Sequence, residues 1–426
     1  MDATELATQP TLDQYEKLAE DVASACNSGS TEALRRLEDY YKPGHPLTAD
    51  ELRERTRQQL SRLSGFEHTG NEISVDDARR LVAHSHGFES WSKLAEYIDA
   101  MNQARSSVSR FEAAVEAVIT GDLPTLGSLL REDPQLISAR SMRSHHATLL
   151  HYVGANGVED YRQKTPKNAV EVAKLLLEAG ADVNSMADMY RGSTTLGLVA
   201  TSVHPMVAGV QIPLLELLLE HGARIDEPGQ SAVNGCLANG RGEAAEFLAE
   251  RGAGLDLEGA AGVGRLDVVK NFFNEDGSLK ESANPEQVRS AFAWACQFGR
   301  TEVVEFLLDA GFVLATRLRH DGQTGLHWAA YGGHAETVEL LLGSGAPIDA
   351  RDQTYEGTAL EWALYGWGEG APEATRGDYY RVVALLVSAG ATADPAWLAH
   401  PYREKLGEKV QADARMLAAL KGEMPG

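Results

Sequence analysis

The sequence predicts an all-α solenoid: about eight worn copies of one helix–turn–helix unit, with helical caps at both ends. Three observations predict it. The stretch Asp321–Asp352, DGQTGLHWAAYGGHAETVELLLGSGAPIDARD, is one complete unit. Its turn and break signals recur in degraded form from Ser109 to Asp394. Each helix of a pair is shorter than the roughly 12–15 residues at which an isolated helix holds in water, so each must bury its apolar side on a neighbour.

Within the complete unit, Asp321-Gly322 is a turn signal and Thr324 can cap the helix Leu326–Tyr331. Gly332-Gly333 breaks that helix. Ala335–Leu342 is a second helix, apolar at Val338, Leu341 and Leu342, and Gly345 ends it. This unit resembles the ankyrin repeat, a turn plus two antiparallel helices. Thr324-Gly325-Leu326-His327 stands where that family has Thr-Pro-Leu-His, with Gly325 in place of the proline. The resemblance covers residues 109–394. It implies that the histidines at the motif position, His151 and His327, brace turns through hydrogen bonds, and that the turn tips face a partner.

Ahead of the repeats, residues 1–105 read as an N-terminal helical cap region. Helical spacing runs through Leu12–Ala25 and Thr31–Tyr41, and Lys42–Pro46 is a stop. Thr48 caps a charged helix to about Leu63. Ser74 caps Val75–His84, with Asp76 and Asp77 in the first turn, where the helix dipole favours acids. Ser92–Met101 follows. The segment DDARRLVAHSHGFESWSKLAEYI is similar to the small helical region that precedes the repeats in many bacterial ankyrin-type proteins. Residues 106–394 form the repeat array, and residues 395–426 a capping helix, Pro395–Leu420, cut by Pro401.

Composition narrows the partners. With 62 acidic against 39 basic residues the net charge is −23, which repels phosphate backbones and anionic headgroups. Nucleic acid and membranes are therefore not expected, and a basic protein or peptide is favoured. Cys26, Cys236 and Cys296 are odd in number and far apart, as in a reducing compartment. MDATELATQP has neither a basic nor an apolar leader region, so a cytoplasmic location is expected.

The departures from the repeat carry the functional candidates. Extra residues fall between the paired helices at Val158–Asn168, His204–Val210 and about Gly368–Asp378. Insertions map to loops along one edge of such a stack. The first two lie on neighbouring repeats and are expected to touch, forming a candidate pocket with Glu159, Asp160, Tyr161, Arg162 and His204. Turn tips bring a second set: His145, His146, Tyr190 and Arg191, with His320 on a later tip. On the inner helix face, positions Ala155, Thr201, Ala238, Gly262 and Gln297 are small or polar, whereas Tyr331 and Tyr365 are large, with Trp367 nearby. Tyrosine-rich faces give large contacts at low entropic cost. Three positions back, Trp294, Trp328 and Trp362 are expected in the core. Gly259, Gly262 and Gly264 weaken the fifth unit's first helix, which implies either close packing or a ligand against the backbone.

No CxxC, HExxH, GxSxG or P-loop occurs in a valid context, and His84-x-His86 spans no single helix face. No catalytic residue, metal or cofactor is expected. The leading expectation is a non-enzymatic scaffold gripping a protein or peptide along the concave face. The alternative is a small-molecule or catalytic pocket on repeats two to four and their inserted loops.

Overall fold

The computed structural model describes residues 5–7, 10–41, 48–63, 72–318, 322–370, 377–394 and 403–424. His320, Asp321, the Lys42–Pro46 stop, residues 371–376 of the third insertion, and Pro395 to Pro401 lie outside the described residues. The chain is all-α. Among the described residues there is no strand, only isolated bridges such as Ala187 with Ser193. No described helix is long and apolar enough to cross a membrane. The chain divides into two compact units, Met1–Arg224 and Ile225–Gly426.

The first unit opens with helices Leu12–Ser28, Thr31–Tyr41, Ala49–Arg62, Val75–Ser85 and Trp91–Asn102. Their starts follow the capping chemistry. Thr48 Oγ1 accepts the Glu51 N–H at 3.2 Å and Ser74 Oγ accepts that of Asp77 at 3.1 Å. These helices enclose a core of their own, including Val22, Leu37, Leu60, Val82, Phe88 and Leu94. The helix pairs then begin: Ser107–Thr120 with Leu123–Glu132, Leu149–Tyr152 with Ala169–Glu178, and Thr195–Thr201 with Gln211–Glu220.

The second unit continues as Ala232–Ala238 with Gly242–Glu250, Leu257–Gly262 with Leu266–Val269, and Pro285–Gln297 with Thr301–Asp309. Gly325–Tyr331 pairs with Ala335–Gly343, and Ala359–Glu369 with Tyr379–Ser388. One apolar core runs through all but the first of these pairs, from Leu257 to Leu386, and reaches Leu406, Val410 and Met416. The described part of the expected C-terminal helix is two helices, Glu404–Ala412 and Ala414–Ala419. Asp413 divides them because its carboxylate accepts the Met416 N–H at 2.8 Å, which starts a new helix.

The motif histidines brace the turns. His151 Nδ1 accepts the Thr148 N–H at 3.1 Å, so its proton is on Nε2, 3.0 Å from the Ser185 carbonyl. His327 repeats this with Thr324 at 3.1 Å and the Gly357 carbonyl at 3.1 Å. Arginines pin successive turns in the same way. Arg140 donates to the His146 and Met186 carbonyls, both at 2.8 Å, and Arg317 to those of Gly322 and Arg351. The fifth unit's glycines have a packing reason. A Cβ on Gly262 would lie 2.5 Å from Leu237 Cδ1, and one on Gly259 2.7 Å from Asn234 Oδ1.

Candidate interaction surface and the buried charge cluster

The helices Gly325–Tyr331 and Ala359–Glu369 are side by side in successive pairs, so residues in equivalent positions meet across them. Trp328 and Trp362 are in contact, ring centroids 5.4 Å apart, and Tyr331 meets Trp362 at 5.8 Å. Tyr365 is nearly parallel to Tyr331 at 6.5 Å, and Tyr355, from the preceding turn, lies 6.4 Å from Trp362. Five rings thus form one ladder. Tyr355 is 57% exposed and Tyr365 44%. The edge-on contacts are the arrangement that ring quadrupoles favour.

The ladder is held from behind. Asp352 is buried, and its carboxylate accepts the Trp362 indole N–H at 2.9 Å as well as the Thr354, Tyr355 and Gly357 amides. These bonds pull its carboxyl below the usual range although burial pushes the other way. Trp294 is buried as expected from the sequence, but Trp328 and Trp362 are not core residues. They are half-buried because their outer faces form part of the ladder. Trp367, expected beside Tyr365, packs instead on Tyr380 at 6.4 Å, with the Lys409 ammonium 4.7 Å from its ring centre.

The first unit holds a different kind of cluster. Arg143 and Glu159 form an ion pair at 1% and 0% side-chain exposure. Glu159 also meets Arg162 Nη1 at 3.3 Å, and Arg162 meets Glu112 at 2.6 Å. His145 Nδ1 accepts the Ala147 N–H at 3.0 Å, so Nε2 carries its proton and points at Glu159 Oε2, 3.5 Å away. Arg143 donates to the Tyr161 hydroxyl at 3.1 Å and to the His86 carbonyl, and lies over the rings of Phe88 and Tyr97. Burial alone would raise the Glu159 carboxyl. The His145 contact and the two guanidinium groups outweigh it and hold the carboxyl far below its ordinary range. Burial pushes the Tyr152 and Tyr161 hydroxyls up.

This cluster reassigns several residues expected at a surface. His145 is fully buried and is no turn-tip contact. Glu159 is buried, while Tyr161 and Arg162 are partly covered and engaged in the cluster. Asp160 is exposed and His204 half-exposed. His146 is half-exposed with Nδ1 2.8 Å from Asp188 Oδ2. Tyr190 and Arg191 form the exposed turn tip at φ 51° and 70°, and the Tyr190 hydroxyl donates to Asn156 Oδ1 at 3.0 Å. Ahead of the first two insertions, and outside both inserted loops, Asn156 meets Thr201 at 2.9 Å and Ser202 donates to the Ala155 carbonyl at 3.2 Å. Sequence reasoning missed Arg143 and Glu112. Arg143 is in an aperiodic loop, and Glu112 follows Phe111 in a helix where the one signal was an acid among apolar residues.

Residues 257–352 match the family model described as ankyrin repeats in three copies. This stretch is built of ankyrin repeats. It includes the helix Gly325–Tyr331 and the Asp352 that supports the ladder. In sequence, no curated protein matches the chain. Among solved structures, the human ASB11 ankyrin repeat domain is similar at 20% identity and a TM-score of 0.28, covering 67% of this chain and 99% of that one. Ankyrin repeats generally mediate protein–protein interactions.

Proposed function

We propose that this protein is a non-enzymatic interaction module, with about eight ankyrin-like repeats between helical caps, that binds a protein or peptide. The observation that carries this reading is the exposed aromatic ladder, Tyr355–Trp362–Trp328–Tyr331–Tyr365. Aromatic rings that are already packed together on one side give binding area at little entropic cost, and Trp and Tyr are the residues that dominate binding hot spots. The exposed tip at Tyr190 and Arg191, with His146, is a second, polar contact in this proposal, and His320 is a separate candidate contact. A net charge of −23 favours a basic partner.

The pocket alternative on repeats two to four has less support. Glu159 and Arg162, the charged residues that would line it, are spent on Arg143, His145 and Glu112.

The test is site-specific photo-crosslinking in cells from position 365, with Asp349 on the same unit as the control position. A partner captured at 365 and lost when Tyr355→Ala is added is the expected result. Equal capture from both positions, or capture at 365 unaffected by Tyr355→Ala, overturns the assignment.

A further inference from the structure

The chain treats its aromatic faces in two ways. Elsewhere in the second unit, four rings carry the chain's own cations. Arg251 lies 4.5 Å from the Phe247 ring centre, Lys270 5.7 Å from Phe306, Lys409 4.7 Å from Trp367 and Arg415 4.1 Å from Tyr380. Over Trp328, Tyr355, Trp362 and Tyr365 no lysine or arginine lies among the described residues. The two helices that bear most of the ladder, Gly325–Tyr331 and Ala359–Glu369, contain no lysine or arginine at all, and the second contains Glu361 and Glu369. The nearest cation in sequence, Arg351, is turned to the Glu356 carbonyl, Glu361 and Asp394.

From this pattern the geometry points to a partner segment that places an arginine against the ladder. The inference rests on the interaction reading above and adds the chemistry of the ligand. Ring faces are negative in their quadrupole, and a cation within about 6 Å of the ring centre is attracted. Arginine fits better than lysine, because its planar guanidinium is weakly hydrated and stacks on ring faces. The chain's overall charge draws such a segment in. The ladder supplies the contacts that bulk charge cannot, because they require an aromatic face and not merely an acidic body.

The experiment is calorimetric titration of the full chain with an acetylated, amidated peptide of alternating glycine and arginine, beside the same peptide with citrulline. Citrulline keeps the planar shape and removes the charge. Two variants accompany the wild type: Tyr355→Ala/Tyr365→Ala, and Tyr355→Leu/Tyr365→Leu, which keeps apolar area and removes the rings. Both positions are exposed, and an unchanged melting temperature certifies the fold. The expected result is arginine-peptide binding at least tenfold tighter than citrulline-peptide binding, with each variant losing roughly tenfold for arginine. Equal binding of the two peptides, no measurable arginine-peptide binding, or full binding by the leucine variant overturns the inference. Any of these outcomes leaves the crosslinking test of the interaction reading untouched, so the two fail separately.

Discussion

Replacing Glu159 by glutamine removes one negative charge from the buried cluster and preserves the shape of the side chain. Arg143 would keep two neutral partners, the Tyr161 hydroxyl at 3.1 Å and the His86 carbonyl, while its contacting carboxylate would be gone. Arg162 would keep Glu112 at 2.6 Å. The loss therefore falls on a guanidinium at 1% exposure that cannot recruit water as a substitute. Stripping one partner from a buried pair costs about 3–5 kcal/mol. With a urea slope of roughly 2–3 kcal/mol/M for a unit of this size, the midpoint of the first unit drops by about 1–2 M. The assay is urea denaturation of the full chain, with hydrogen exchange to place the loosened amides. Faster exchange is expected around residues 86–88 and 143–162, where Arg143 joins the N-terminal helices to the repeats. An Arg143→Met/Glu159→Leu variant should recover most of the loss, because an apolar pair has no stranded charge. A Glu159→Gln variant within about 1 kcal/mol of wild type would show that the pair is not the clasp its geometry implies.

Three further outcomes follow from the same structure. Burial pushes the His151 imidazole down to about 4, while in the unfolded chain it titrates near 6.5, so the unfolded state binds the extra proton in this window and stability falls with falling pH. Between pH 7 and 5 this one group removes about 2 kcal/mol, and the difference between wild type and His151→Gln in urea titrations at the two pH values isolates it. Gly262→Ala would place a methyl 2.5 Å from Leu237 Cδ1, and a cost of about 1–3 kcal/mol with no change in the first unit's exchange pattern is expected. Cys236 and Cys296 are buried, and burial raises the Cys236 thiol to about 12, so an aromatic disulfide reagent should label both only on unfolding. Labelling in the native chain at the rate of free thiol would refute that reading.

The legibility of the sequence varied with the range of the interaction. Helix starts at Thr48 and Ser74 depend on contacts three residues away, so the residue pattern carries them. The paired helices from Ser107 to Ser388 were legible because a repeat prints the same apolar spacing many times over. His151 and His327 were legible as braces because the family likeness gives the motif position a role, and their bonds run to Thr148 and Thr324 close by.

What only the tertiary structure decided is which side of a loop faces inward. An inserted loop carrying Glu-Asp-Tyr-Arg looks like a surface feature, since charged residues are seldom buried. Here Glu159 is fully buried because Arg143, 16 positions back along an aperiodic loop, and Arg162 supply its counter-charges. No local pattern encodes that meeting. The same holds for Trp328 and Trp362, whose spacing predicts a core. Their half-exposure depends on what the two helices leave uncovered, and Asp352 and the neighbouring rings decide it. The sequence by itself determined the helices and their pairing, because those rest on local hydrogen bonds and apolar periodicity. The burial of a charge and the exposure of an aromatic face rest on neighbours distant in the chain, and only the folded arrangement sets them.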